Sequence, residues 1–187
     1  MDRIDTPLPG VWLINPRVIP DRRGFFLESY NQREMADIGI SERFVQDNHS
    51  RSRRGVLRGL HYQVTRQQSK LVRATRGAIF DVAVDVRRGS PTFGRWTGAG
   101  LSADSHTMMY IPRGFAHGFL VLSDVAEVQY KCSDFYAPED ERGVAWDDPE
   151  LGIEWPLGDL EPVLSDRDLG WSPLSQTDGA DLPVFTP

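Results

Sequence analysis

Two histidines stand where an imidazole could act on a ligand. His61 lies within Gly55-Val-Leu-Arg-Gly-Leu-His-Tyr-Gln63, and His117 closes the run Pro112-Arg-Gly-Phe-Ala-His117. Unperturbed imidazole titrates near pH 6.5, so either ring could take or return a proton at working pH. On a strand, His61 and Gln63 point to the same side. Lys70 would share a face with Val72 and Ala74 on the next strand. Tyr130 has the parity of Ala126, Val128 and Cys132, while Glu127, Gln129 and Lys131 alternate with them, which turns the phenol inward. A phenol, with an unperturbed pKa of about 10, suits the return of a proton to a strongly basic carbon. The Lys70 ammonium offers only hydrogen-bond donors, so it repels a metal ion and favours an oxyanion, enolate or phosphate.

Other titratable groups carry plainer readings. His49 lies among Asp47, Asn48 and Ser50 and reads as a loop residue that hydrogen-bonds locally, whereas His106 sits in a polar loop and reads as solvated. Asp81 and Asp85 share one strand face, either as an acid pair or with Asp81 orienting His61 or His117. Cys132 reads as a small core filler.

The elements that must position these groups are short strands broken by turns. The clearest strand covers 78–86, with Phe80, Val82, Val84 and Val86 on one face and both aspartates on the other. A second covers 126–132, and others are expected at 25–30, 55–63, 70–75, 96–101, 109–111 and 118–122. One helix is expected at 33–38, capped by Asn31 and stopped at Gly39. Many strands and few helices predict an all-β jelly-roll barrel with one or two short helices. The tail after Asp159, rich in Pro, Asp and Ser, is expected to wrap the barrel as irregular structure.

Composition bounds the partners. With 187 residues the chain suits a single domain over 1–187. Its 21 basic and 27 acidic residues give a net charge of -6, which argues against general nucleic-acid binding. No apolar run approaches membrane-spanning length, and the opening residues lack a signal peptide's apolar core, so no membrane partner and a cytoplasmic location are expected. The single cysteine fits a reducing compartment.

The two histidine runs resemble the half-motifs of the cupin superfamily. In the first, Gln63 replaces the second histidine and Lys70 the glutamate, and in the second Val121 stands where a polar ligand is usual. The four ligand positions become His, Gln, Lys and His, so no metal and no cofactor are expected.

A longer series of segments is similar to the dTDP-4-dehydrorhamnose 3,5-epimerase family. It includes Arg22-Arg-Gly-Phe-Phe-Leu-Glu28, Phe44-Val-Gln-Asp-Asn-His-Ser50, Phe80-Asp-Val-Ala-Val-Asp-Val-Arg87, Ser90-Pro-Thr-Phe-Gly-Arg-Trp96, Tyr130-Lys-Cys-Ser-Asp-Phe-Tyr136 and Leu164-Ser-Asp-Arg-Asp168. The similarity runs through nearly the whole chain in order. It implies that His61 is a base paired with Asp168, that Tyr130 is the acid on the opposite face, and that Lys70 sits by a keto oxygen. It implies that Arg23, Glu28, Gln46, Asn48, Arg58, His117, Glu141 and Arg167 bind a nucleotide sugar and that Tyr136 stacks on thymine. The implied partner is a dTDP-linked 4-keto-6-deoxy sugar, and the implied assembly is a homodimer in which N-terminal strands contribute to a shared sheet.

Inverting a carbon beside a ketone means removing a proton and returning one to the other face. Carbons 3 and 5 both flank carbon 4, so one site can process both through enolates. The nearest rival is a single-carbon (3- or 5-) epimerase of another dTDP-4-keto-6-deoxy sugar, which would keep the same catalytic residues. A metal-dependent cupin and a non-catalytic binding module are the rivals from other classes.

Overall fold

A computed structural model describes residues 1–186. Thirteen strands and two short α-helices follow the chain as β1 (Asp2–Asp5), β2 (Trp12–Asn15), β3 (Val18–Asp21), β4 (Gly24–Leu27), α1 (Gln32–Asp37), β5 (Gln46–Arg53), β6 (Leu57–Gln63) and β7 (Lys70–Arg76). Then come β8 (Ala78–Asp85), β9 (Trp96–Ser102), β10 (Met108–Ile111), β11 (Phe115–Val121), β12 (Val125–Cys132), β13 (Glu141–Gly143) and α2 (Asp166–Leu169). They build an antiparallel sandwich of cupin type. One sheet runs β1-β2-β10-β7-β12-β5, the other β13-β6-β11-β8-β9, and β3 and β4 form a separate hairpin.

The core between the sheets collects Val72, Ile79, Ala83, Leu101, Met109, Phe115, Phe119, Ala126 and Val128. The second sheet is also covered on its outer face. There Leu60, Tyr62, Val82, Val84 and Val86 pack under Val144, Leu151, Leu174 and Leu182 from the chain that follows β13. Thus the apolar stripe of β8 faces the tail, and its aspartate face looks into the sandwich. Each such aliphatic side chain contributes about 1.5–3 kcal/mol when fully buried, so the tail is held by its own apolar layer. The helix α1 covers part of the first sheet's outer face through Met35, against Ile14, Leu71 and Met108. Asn31 caps it by accepting hydrogen bonds from the Arg33 and Glu34 amides.

Three expectations shift. The strand expected over 55–63 starts at Leu57, because Gly55 is a turn residue with φ of 81°. The one expected at 25–30 ends at Leu27 and belongs to the hairpin. His49 lies on a strand, not a loop: on β5 it points outward and meets Glu127 at 3.1 Å. That strand, Gln-Asp-Asn-His-Ser-Arg-Ser-Arg, has no apolar residue for hydrophobic periodicity to detect. Among the described residues, no helix is long and apolar enough to cross a membrane.

Candidate active site

A cavity of about 510 Å³ opens at one end of the sandwich, a size in the range of small-molecule sites. β6 supplies Arg58, His61 and Gln63, β7 supplies Lys70, β11 His117 and Phe119, and β12 Tyr130. β5 supplies Gln46, Asn48 and Ser50, and the C-terminal tail closes one side with Ser165, Arg167 and Asp168. Of the expected site residues, Arg23 and Glu28 alone do not line it.

Strand parity explains most of this lining, and one irregularity explains the rest. Arg58 and His61 are three residues apart, and a regular strand would send them to opposite faces. Between them, β6 holds an extra residue relative to β11: His117 pairs with His61, but Phe119 pairs with Arg58. This bulge re-aims the chain so that both side chains reach the cavity. It rests on Gly59, at φ of 125°, where an added Cβ would fall 2.5 Å from the Gly118 Cα.

His61 Nε2 lies 2.6 Å from Asp168 Oδ1. Asp168 is almost fully buried on α2, whose cap, Ser165, accepts a hydrogen bond from the Asp168 amide at 3.2 Å. Burial pushes the Asp168 carboxyl up, but the hydrogen bond and charge of His61, helped by Ser165 and Arg167, hold it below the usual value. A carboxylate in this position fixes the imidazole tautomer and stabilises the imidazolium that forms on proton uptake. Trp171 closes the arrangement edge-on, its ring centroid 6.4 Å from that of His61.

Desolvation dominates the other two reactive groups. Burial pushes the Tyr130 phenol above its ordinary pKa, keeping it protonated at neutral pH. Burial pushes the Lys70 ammonium below its ordinary value, with Cys132 and Glu141 opposing the shift. Lys70 Nζ donates to Gln68 Oε1 at 3.1 Å. Gln63 is occupied with the backbone: its amide nitrogen donates to Arg66 O at 2.6 Å, and its Oε1 accepts from the Ala137 amide at 2.9 Å. It therefore braces the β6 end and the β12–β13 connection instead of presenting a ligand atom. Among the described residues, no group of three or more His, Cys, Asp or Glu is placed to hold a metal.

The cavity mouth carries a linked set. The Tyr136 hydroxyl donates to Glu141 Oε2 at 2.9 Å, and Arg167 pairs with the same carboxylate. The Tyr136 amide donates to Gln46 Oε1, and Gln46 Nε2 donates to Asn48. Arg58 is steadied from behind by the Ser52 hydroxyl, 3.1 Å from its Nη2.

The orienters are resolved by geometry. Asp168 serves His61, and Asp81 serves His117 through a 2.7 Å contact. Asp81 and Asp85 are not an acid pair: Asp85 binds Arg87, Ser90 and Thr92. Arg23 instead pairs with Asp21, and Glu28 with Asn31. Both sit on or beside the β3–β4 hairpin, which exposes Phe25 and Phe26 and contributes no residue to the cavity lining. Sequence reasoning missed Ser50, Ser52, Gln68 and Trp171 as parts of the site or its support. The alternation of Gln46, Asn48, Ser50 and Ser52 along β5 was the available signal, a polar inward row matching a polar cavity wall.

Comparison with known proteins shows what the chain is similar to. A family model described as dTDP-4-dehydrorhamnose 3,5-epimerase matches residues 5–176. The dTDP-4-dehydrorhamnose 3,5-epimerase of Pseudomonas aeruginosa is 62% identical over 162 residues, covering 86% of this chain and 89% of its own. A crystal structure of a dTDP-6-deoxy-D-glucose-3,5-epimerase from Legionella pneumophila, in complex with dTDP-4-keto-L-rhamnose, superposes with a TM-score of 0.97 at 47% identity. That match covers 100% of this chain and 99% of the other. The 3'-monoepimerase ChmJ from Streptomyces bikiniensis, in complex with dTDP-quinovose, has a TM-score of 0.89 at 40% identity, covering 96% and 91%.

Proposed function

Because the chain belongs to the dTDP-4-dehydrorhamnose 3,5-epimerase family and carries that activity in dTDP-rhamnose biosynthesis, we propose that His61 is its base, Tyr130 its acid and Lys70 the donor to the enolate oxygen. The carrying observation is the His61–Asp168 contact inside one cavity with Tyr130 and Lys70. His61 removes the proton from carbon 3 or 5, and the electron pair moves into the carbon 4 carbonyl. Tyr130 then returns a proton to the opposite face. Positioned acid and base contribute about 10²–10⁴-fold, so the oxyanion needs its own stabilisation. A fixed donor such as Lys70 adds roughly 3–4 kcal/mol in a partly dry site.

The nucleotide is assigned to the mouth. Arg58 and Arg167 offer forked donors suited to the pyrophosphate, and they let an acidic protein hold an anion. Gln46, Asn48 and Glu141 supply the remaining polar contacts there, His117 is assigned to the sugar, and Tyr136 is assigned to stacking on thymine.

The chain is further proposed to act as a homodimer in which the β3–β4 hairpin carries Arg23 and Glu28 into the partner's cavity. Support comes from the hairpin's exposed Phe25 and Phe26, at 58% and 65%, and from both polar residues lying outside the lining of the chain's own cavity. Mixing inactive His61→Ala and Arg23→Ala proteins tests this: shared sites regain activity on subunit exchange, and separate sites stay inactive.

The reaction assignment is tested by proton NMR of dTDP-4-keto-6-deoxyglucose with the protein in heavy water. Loss of the signals at both carbons 3 and 5 is expected in the wild type and not with His61→Ala. Exchange persisting in His61→Ala would remove His61 from the role of base.

A further inference from the structure

Asp81 is a fully buried carboxylate that lies behind the cavity-lining His117 and that the proton transfer above does not use. It sits in mid-β8, opposite Phe119 on β11 and Ala99 on β9, with none of its surface open to solvent. Ile79 and Ala83 flank it on its own inner face. Oδ1 contacts His117 Nε2 at 2.7 Å, and Oδ2 has no hydrogen-bond partner among the described residues. His117 is itself 7% exposed, lines the cavity, and makes no hydrogen bond through Nδ1 among those residues.

These facts constrain where the protons are. An ionised Asp81 beside a neutral imidazole would leave a net negative charge in an apolar wall, with one oxygen unpaired. Such a group is costly unless its charge is balanced. One further proton balances it. Placed on the ring, that proton gives a carboxylate–imidazolium pair. Placed on Asp81, it gives a carboxylic acid donating to Nε2. Either way a ring proton resides on Nδ1.

We propose that Asp81 is a positioning residue that keeps His117 Nδ1–H as a permanent hydrogen-bond donor into the cavity. This bars His117 from serving as a base and leaves that role to His61. The donor faces an oxygen of the reacting sugar ring, because His117 pairs with His61 on the neighbouring strand of the same sheet and its ring lies 6.4 Å from that of Tyr130 on the facing sheet. The inference rests on the assignment of His61 and Tyr130 to the two faces of that ring. The two histidine–aspartate pairs then divide the work: one moves a proton, and the other holds one still.

Nitrogen-15 NMR of histidine-labelled, ligand-free protein at pH 7.5 reads the proton directly. A protonated Nδ1 on His117 is expected, and an unprotonated Nδ1 overturns the proposal. In the Asp81→Ala variant, kcat should fall on the order of a hundredfold, as for loss of one fixed donor, while KM and dTDP affinity stay close to wild type. A folded Asp81→Ala protein with wild-type kcat also overturns it. If that variant does not fold, the wild-type spectrum still decides. Heavy-water exchange by the wild type separates the two readings: its absence counts against the His61–Tyr130 assignment, not against the proton on Nδ1.

Discussion

His61 and Asp168, 107 residues apart in the chain, meet at 2.6 Å because the C-terminal tail crosses the cavity mouth as a strap. The strap is pinned at both ends. Before it, the Val163 amide donates to Gly55 O at 2.8 Å; after it, the Ala145 amide donates to Ser172 O at 3.0 Å. The His61–Asp168 pair is therefore completed by a segment with little regular structure of its own.

Replacing the carboxylate tests this pairing. Asp168→Asn keeps the shape but removes the charge that stabilises imidazolium, so kcat should fall by about 10²–10⁴ with dTDP binding retained. Steady-state kinetics with calorimetry checks it, and a kcat within a few-fold of wild type would count against the dyad.

Tyr130→Phe should separate proton removal from proton return. His61 can still exchange substrate protons with heavy water on its own face, but inversion stalls. Deuterated, uninverted substrate is the expected NMR outcome. Normal yields of inverted sugar would assign the acid elsewhere.

The alkaline limb of activity should report Lys70. Burial lowers its pKa, so the ammonium is lost as pH rises through a value below the ordinary 10.5. Tyr130 is shifted upward and stays protonated over that window. Lys70→Met should lower kcat on the order of 10²–10³ and abolish that limb. A pH–rate profile of both proteins decides between this and another titrating group.

Gly143 should prove intolerant of a side chain. An added Cβ would fall 2.3 Å from Trp171 Cε2, so the indole that stands edge-on to His61 must shift and the strap with it. Gly143→Ala is expected to reduce kcat at least about tenfold, as small misplacements of catalytic groups do. It should also make residues 164–171 more sensitive to protease.

Asp85 should dominate part of the acid unfolding. Burial raises its pKa, but Arg87, Ser90 and Thr92 together hold it below the ordinary 3.8. A depressed carboxyl contributes stability that is present above the unfolded pKa and lost as pH falls through the folded one. Asp85→Asn should cost roughly 3 kcal/mol at pH 7, because it leaves the buried side of Arg87 unpaired. The gap between variant and wild-type Tm should close below about pH 3.8. A gap that persists there would mean that packing, not charge, sets its value.

By itself the sequence determined the all-β class, the inward faces of β6, β7 and β12, and the capped helix. These follow from local rules, since alternation assigns a side and a cap satisfies nearby amides. It also bounded the chemistry on offer, because an ammonium can only donate hydrogen bonds and a phenol is a weak acid in any fold. Other features were decided only by the tertiary structure. The Gly59 bulge turns Arg58 and His61 to one side, a register event with no local sequence signature. Polar β5 is a strand because β12 pairs along its whole length. The aspartate face of β8 looks inward because the tail brings its own apolar layer to the other face. The division of the two aspartates between the two histidines likewise depends on which strands and strap meet in space, a long-range outcome that spacing along the chain does not encode.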